Sequence, residues 1–153
     1  MTVLVRTSAH FECTETAKRG DIHMSAGFTL DFCDDYIWIR HPAGYCITPE
    51  SQQRIWAAIG EARKAYDCPL VLEETPETPE CSMSKQDAFK SAMQAASAAR
   101  DLRMACLYPG YDADEVAEFF IKVAYNSGIR VEYFSSRDEA LEWLGIEQSA
   151  RIS

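Results

Sequence analysis

Four glutamates, Glu73, Glu74, Glu77 and Glu80, lead into Cys81-Ser82-Met83-Ser84-Lys85 near the middle of the chain. Carboxylates at that density attract a cation or a basic partner, and Pro76 and Pro79 keep the stretch out of regular structure. Ser84-Lys85-Gln86-Asp87 has the spacing of a capping box, so a helix is expected to start there. A phosphate on Ser84 would meet the unpaired N–H groups and the positive dipole end of that helix, with Lys85 beside it. The plainer role for Ser84 is the N-cap itself. The expected partner-binding or regulatory surface is therefore Thr75 to Lys85 with the helix start, carried by Glu74, Thr75, Glu77, Glu80, Ser82, Ser84 and Lys85.

Other residues offer less chemistry. His41 and Cys46 share one loop, and a thiolate paired with an imidazole is a nucleophile when the fold brings the two together. His10 and Cys13 could share a metal, but two ligands do not make a site. No cofactor and no metal is implied. Six cysteines without a C-x-x-C are expected to be free thiols, because a core of this size needs no disulfides. The seven glycines are dispersed, which excludes a phosphate-cradling loop. A net charge of −9 with scattered Lys and Arg disfavours nucleic acid. No apolar run spans a bilayer, and Met-Thr-Val-Leu-Val followed by Arg6 does not make a secretory signal, so a cytoplasmic protein is expected.

The elements that must position these groups follow from periodicity. Phe28, Leu30 and Phe32 alternate with polar residues, and after Asp34-Asp35 comes Tyr36-Ile37-Trp38-Ile39, so a β-hairpin is predicted. Thr48-Pro49-Glu50 starts a helix with Ile55, Ile59, Ala62 and Tyr66 along one stripe, and Asp67-Cys68-Pro69 stops it. Leu70 to Glu73 is a short apolar strand suited to the centre of a parallel sheet. The helix from Ser84 is expected to turn Phe89, Ala92, Met93, Ala96 and Ala99 inward. Arg103 to Tyr108 is the next strand, closed by Pro109-Gly110. A helix capped by Asp112 or Asp114 carries Val116, Ala117, Phe120, Val123 and Ala124 inward. Ile129, Val131 and Tyr133 form a last strand, and Ser136-Arg137-Asp138-Glu139 opens a last helix ending at Trp143-Leu144-Gly145. Phe89, Met93, Phe119, Phe120 and Tyr125 are candidates to line an apolar cavity, with core packing as the simpler account.

Right-handed crossovers wind such units one way, leaving helices mainly on one face of the sheet. Both faces nevertheless read as apolar. The second, assigned Tyr36, Trp38, Val71 and Leu107, then needs residues 1–26, a second subunit or an apolar ligand to cover it.

The runs Tyr36-Ile37-Trp38-Ile39, Ile47-Thr48-Pro49-Glu50, Cys68-Pro69-Leu70-Val71-Leu72, Gly128 to Phe134 and Glu139 to Leu144 resemble the SpoIIAA-like family, which holds STAS domains and SEC14-type bacterial proteins. The resemblance spans Phe28 to Leu144. It implies an α/β fold, a (βα) superhelix with a mixed, mostly parallel sheet of about five strands, an N-terminal hairpin and four helices mainly on one face. It also implies a functional centre at the loop after the third strand, where STAS antagonists carry an Asp-Ser-Ser-Gly-like motif with a phosphorylated serine. This chain has Cys81-Ser82-Met83-Ser84-Lys85 there, without the aspartate or the glycine. The expected division is an arm over 1–26, a STAS-like domain over 27–146 and a polar tail over 147–153. The expected function is a non-enzymatic interaction or regulatory module, with a switch around Ser82 to Ser84 and a protein partner or a second copy of the chain as its target. The alternatives are a SEC14-like carrier of a small apolar ligand or lipid and, more distantly, a thiol-dependent enzyme.

Overall fold

The computed structural model describes residues 27–147; the arm expected over 1–26, with the His10 and Cys13 pair, and the end of the tail lie outside the described residues. The chain enters through strands β1 (Thr29–Phe32) and β2 (Ile37–Arg40), antiparallel with Phe32 opposite Ile37. Their turn closes without glycine because Asp34 adopts φ 68°, a left-handed conformation that aspartate tolerates better than most residues. The two-residue strand β3 (Cys46–Ile47) follows.

Helix α1 (Pro49–Tyr66) starts where the sequence places it. Thr48 Oγ1 accepts from Ser51 N at 3.1 Å and Ser51 Oγ accepts from Thr48 N at 3.0 Å, so two of the free N–H groups at the helix start are satisfied reciprocally. Asp67, at φ 52°, ends it. Then come β4 (Leu70–Glu74), β5 (Glu80–Cys81), α2 (Lys85–Ala98), β6 (Arg103–Leu107), α3 (Glu115–Asn126), β7 (Arg130–Phe134) and α4 (Arg137–Leu144). Asp114 and Ser136 cap α3 and α4.

The main sheet has the order β1-β2-β4-β6-β7, parallel throughout except for the β1–β2 pair. This is the mostly parallel, five-stranded α/β sheet with an N-terminal hairpin and four helices that the sequence predicts. Each crossover advances one strand in the same direction, so α1, α2 and α3 share a face. That face is built from Ile37, Ile39, Val71, Met104 and Val131 beneath Ile55, Trp56, Ile59 and Phe120.

The other face is not left open, because α4 folds across it. Ala140, Leu141 and Leu144 pack with Ile146 against Tyr36, Trp38, Leu72, Ala105 and Leu107. Tyr36, Trp38 and Leu107 do share this face, but Val71 lies under the helices and Leu72 takes its place. The register explains the exchange: Val71 pairs with Ile37 and Leu72 with Trp38, and paired residues point the same way. The motive for a dimer or apolar ligand on that face, an uncovered apolar surface, is therefore removed by the chain itself.

The inward stripe of α2 also differs from expectation. Ala88, Ser91, Ala92 and Ala95 are buried, whereas Phe89 and Met93 are exposed. Packing overrides side-chain size here, since α2 lies against both α1 and α3 and small residues let helix axes approach. The closest approach is at Gly60, where a Cβ would stand 3.2 Å from both the Cβ and the carbonyl oxygen of Ala98.

The glutamate-rich stretch is likewise more ordered than expected. Glu73 and Glu74 belong to β4, and β5 pairs with β3 in parallel, Cys46 opposite Glu80 and Ile47 opposite Cys81. The prolines stand between these strands rather than in them. The expectation of six free thiols fails: among the described residues Cys46, Cys68, Cys81 and Cys106 are free, but Cys33 is disulfide-bonded.

Candidate functional site

In parallel sheets wound this way, ligand sites form at the carboxyl ends of the strands. Here one row across the helix-covered face, Ile39, Glu73, Cys106 and Tyr133, is set by consecutive register pairs. It marks the change from apolar core to polar groups. Glu73 sits in the middle of this row on a central strand, with its side chain 2% exposed. An unpaired carboxylate there would cost several kcal/mol in desolvation, so it requires partners.

The principal partner is His41, the residue after β2. His41 N donates to Glu74 O at 3.0 Å, prolonging the β2–β4 ladder by one residue and holding the imidazole over the sheet. His41 Nε2 then lies 2.7 Å from Glu73 Oε2, with the imidazole as buried as the carboxylate. Its ring stacks on Tyr45, centroids 3.6 Å apart and planes within 11°, and Phe28 meets it edge-on at 5.6 Å. Glu73, predicted at the end of a strand where the acidic stretch begins, and His41, predicted in a loop with Cys46, come together in the interior.

Cys106 Sγ donates to Glu73 Oε1 at 3.5 Å. Burial first, and the Glu73 charge second, push this thiol well above its ordinary range. Burial acts the same way on the phenols of Tyr45, Tyr108 and Tyr133, and more weakly on half-buried Tyr111. A reactive cysteine needs a depressed pKa, so Cys106 is the reverse of an activated nucleophile. Cys46, at the start of β3, is exposed, its thiol 3.6 Å from Gly44 O, while His41 is committed to Glu73.

A second polar chain links the helices above this row. Trp56 Nε1 donates to Ser91 Oγ at 2.8 Å, Ser91 Oγ to Gln52 Oε1 at 3.3 Å, and Gln52 Nε2 to Tyr45 OH at 3.1 Å. Between that chain and the sheet edge lies a cavity of about 40 Å³. Its wall combines Glu73, Cys106, Tyr108, Tyr111 and Tyr133 with Met83 and Phe120. Phe120 is thus the one aromatic of the expected set that reaches a cavity wall here; Phe89, Met93 and Tyr125 face solvent.

The residues assigned to the regulatory surface divide. Thr75 is buried, with its Oγ1 donating to Glu77 O at 2.7 Å. Glu74 points to the opposite sheet face, where its Oε1 accepts from Trp38 Nε1 at 2.8 Å and from Arg137 at 2.9 Å. Arg137 and Arg40 both stand over the Trp38 ring, at 4.8 and 4.5 Å from its centre. Glu77, Glu80, Ser82, Ser84 and Lys85 are exposed.

That exposed segment is held at both ends. Gly44 N donates to Glu77 Oε2 at 2.9 Å, Ser82 N donates to Ile47 O at 2.9 Å, and the Thr78 hydroxyl bonds Pro109 O. Ser84 Oγ accepts from Asp87 N at 3.1 Å while Asp87 Oδ2 accepts from Ser84 N at 3.1 Å, the reciprocal cap that the sequence predicts.

No protein-family model matches the chain, and neither the curated proteins nor the solved structures contain a match. The fold defines a class, an α/β sheet domain with a polar site at its carboxyl edge. Among the described residues, no helix is long and apolar enough to cross a membrane, and no group of three or more His, Cys, Asp or Glu is arranged to hold a metal ion.

Proposed function

We propose that this chain is a non-enzymatic, STAS-like regulatory module that binds a protein partner through the segment Glu77 to Lys85. The observation that carries this reading is the combination of exposure and fixed shape in that segment. A surface already ordered before binding loses less entropy when a partner docks. Here two ladder pairs, a backbone bond from Ser82 and a capped helix fix the backbone. The acidic side chains Glu77 and Glu80 beside Lys85 suit a partner with a basic patch and an acidic rim. Ser82, exposed and outside the cap, is the better hydroxyl for a switch, because Ser84 already serves the helix.

The STAS-like part of the proposal draws support from the sequential order β2-β4-β6-β7 with an antiparallel strand at one edge. Cavity size ranks it above a lipid carrier: the two cavities lined by described residues, about 40 Å³ and about 110 Å³, are below the roughly 300 Å³ at which drug-sized ligand pockets begin. The raised thiol of Cys106 ranks it above thiol catalysis. The proposal includes a cytoplasmic location, for which the four free thiols speak and the Cys33 disulfide does not.

The test is a quantitative affinity capture from the source cells with wild type, the triple variant E77A/E80A/K85E, and a control variant K122A on α3. A partner retained by wild type and K122A but lost by the triple variant is the expected result. Equal retention by all three, or no stoichiometric partner at all, would remove this surface as the working part of the molecule.

A further inference from the structure

We propose that the carboxyl-edge cavity binds a small alkylammonium cation, with the Glu73 carboxylate as counter-charge and the rings of Tyr108, Tyr111 and Tyr133 as walls. Size sets the first limit. A water needs roughly 10–15 Å³ of such volume, so about 40 Å³ accommodates a ligand of about three heavy atoms. Lipids and nucleotides are excluded by this alone.

Charge sets the second limit. Glu73 uses Oε2 on His41 at 2.7 Å, but the thiol of Cys106 at 3.5 Å is the bond given to Oε1, and S–H is a weak donor. A carboxylate has about four acceptor positions, so a buried one with such partners is under-donated. An ammonium group brings three N–H donors and a charge of the opposite sign, and charge-assisted bonds are about twice as strong as neutral ones. An anion would face the Glu73 carboxylate and is disfavoured. A metal ion lacks a ligand set among the described residues.

Ring geometry sets the third. Tyr108, Tyr111 and Tyr133 meet pairwise with centroids 5.0 to 5.7 Å apart and planes inclined by 36° to 89°, a tilted cluster rather than a flat stack, and all three line the cavity. Tyrosine faces attract a cation within about 6 Å, and most strongly where water is excluded. Met83, two residues beyond β5, completes the wall, so the ligand would touch the same segment whose outer side is proposed to face a partner.

The test is an NMR titration of the full chain with methylammonium, ethylammonium, tetramethylammonium, ethanol and acetate at constant ionic strength. Methylammonium and ethylammonium are expected to give saturable shifts at the amides of Cys106, Leu107, Tyr108, Gly110 and Tyr111. Ethanol, acetate and tetramethylammonium are expected to give none. Glu73→Gln should weaken binding by about tenfold or more. Because that variant disturbs a buried pair, the independent arm is Tyr111, half-buried in a loop. Tyr111→Ala should weaken binding by about threefold to tenfold, and Tyr111→Phe should leave it within about twofold. Equal response to ethanol, non-saturable shifts with every salt, or unchanged affinity in Tyr111→Ala would overturn the proposal.

Discussion

The His41–Glu73 pair makes the sharpest stability prediction. In His41→Phe an aromatic ring remains to stack on Tyr45, while both ring nitrogens are lost, including the one that faces Glu73 Oε2 at 2.7 Å. Both side chains are nearly inaccessible, at 1% and 2% exposure, so water cannot replace the imidazole without opening the core. Removing one member of a buried pair leaves a stranded charge and costs about 3–5 kcal/mol. For a chain of this size each kcal/mol lowers Tm by about 2–4 °C, so His41→Phe should fall by roughly 6–20 °C. The double variant His41→Phe/Glu73→Leu removes the charge as well and should recover most of that loss, giving a coupling energy of opposite sign to the single effect. Urea unfolding followed by the fluorescence of buried Trp38 and Trp56 reads all three proteins. A loss below about 1 kcal/mol in His41→Phe would mean that Glu73 carries no stranded charge in that variant, and the reasoning from burial would be refuted.

Three further outcomes follow from other parts of the molecule. Cys106, Tyr108 and Tyr133 all have pKa values raised by burial, so each favours the folded state only while its unfolded counterpart stays protonated. Stability should therefore be flat to about pH 8, begin to fall as unfolded thiols ionise near pH 9 and fall more steeply as unfolded tyrosines ionise near pH 10, a profile that urea midpoints from pH 7 to 11 would display. At Gly60, alanine gains helix propensity but meets Ala98, so Gly60→Ala should change stability by less than about 1 kcal/mol, whereas Gly60→Val should lose about 1–3 kcal/mol in the same assay. Leu141→Ala should cost about 2–5 kcal/mol if α4 seals the second sheet face as its burial implies, and a loss under about 0.5 kcal/mol would show the helix to be weakly held.

Much of the fold was legible because it rests on local signals. Apolar runs of β length, separated by capped helical stripes, suffice to predict β2, α1, β4, α2, β6, α3, β7 and α4, and the Thr48 and Ser84 caps were readable as residue patterns. What was not legible depends on register and on helix rotation. Whether Val71 or Leu72 shares a face with Trp38 turns on a single-residue shift in pairing. Phe89 and Met93 looked like core because they are large and apolar, yet the crowding of α2 between two helices selects its alanines. The site escaped for the same reason. Glu73 follows an apolar strand and precedes a run of acids, so its type and neighbours suggest solvent. Its burial is decided by pairing with Ile39 and Cys106 on either side, and His41 is drawn in through one backbone bond to Glu74.

The Glu73–His41 pair also bears on function through what stability does not require. Replacing both members of a buried hydrogen-bonded pair by apolar residues of similar shape is often neutral or stabilising, so the fold has no need of a glutamate beside Ile39 in the centre of its sheet. The remaining polar groups of that edge, Cys106, Tyr108 and Tyr133, line the same cavity wall, which a purely structural pair does not call for. The variant His41→Phe/Glu73→Leu separates the two accounts because it should fold. If the pair is structural only, this protein retains the partner, and any methylammonium response is the same as in wild type because none of it depends on Glu73. If the cavity is the working site, the fold persists with wild-type circular dichroism while the ammonium response disappears. Partner capture measured with and without methylammonium then shows whether the exposed segment and the cavity beneath it act as one device, since two sites sharing the Cys81–Met83 wall must influence each other reciprocally if binding moves that wall.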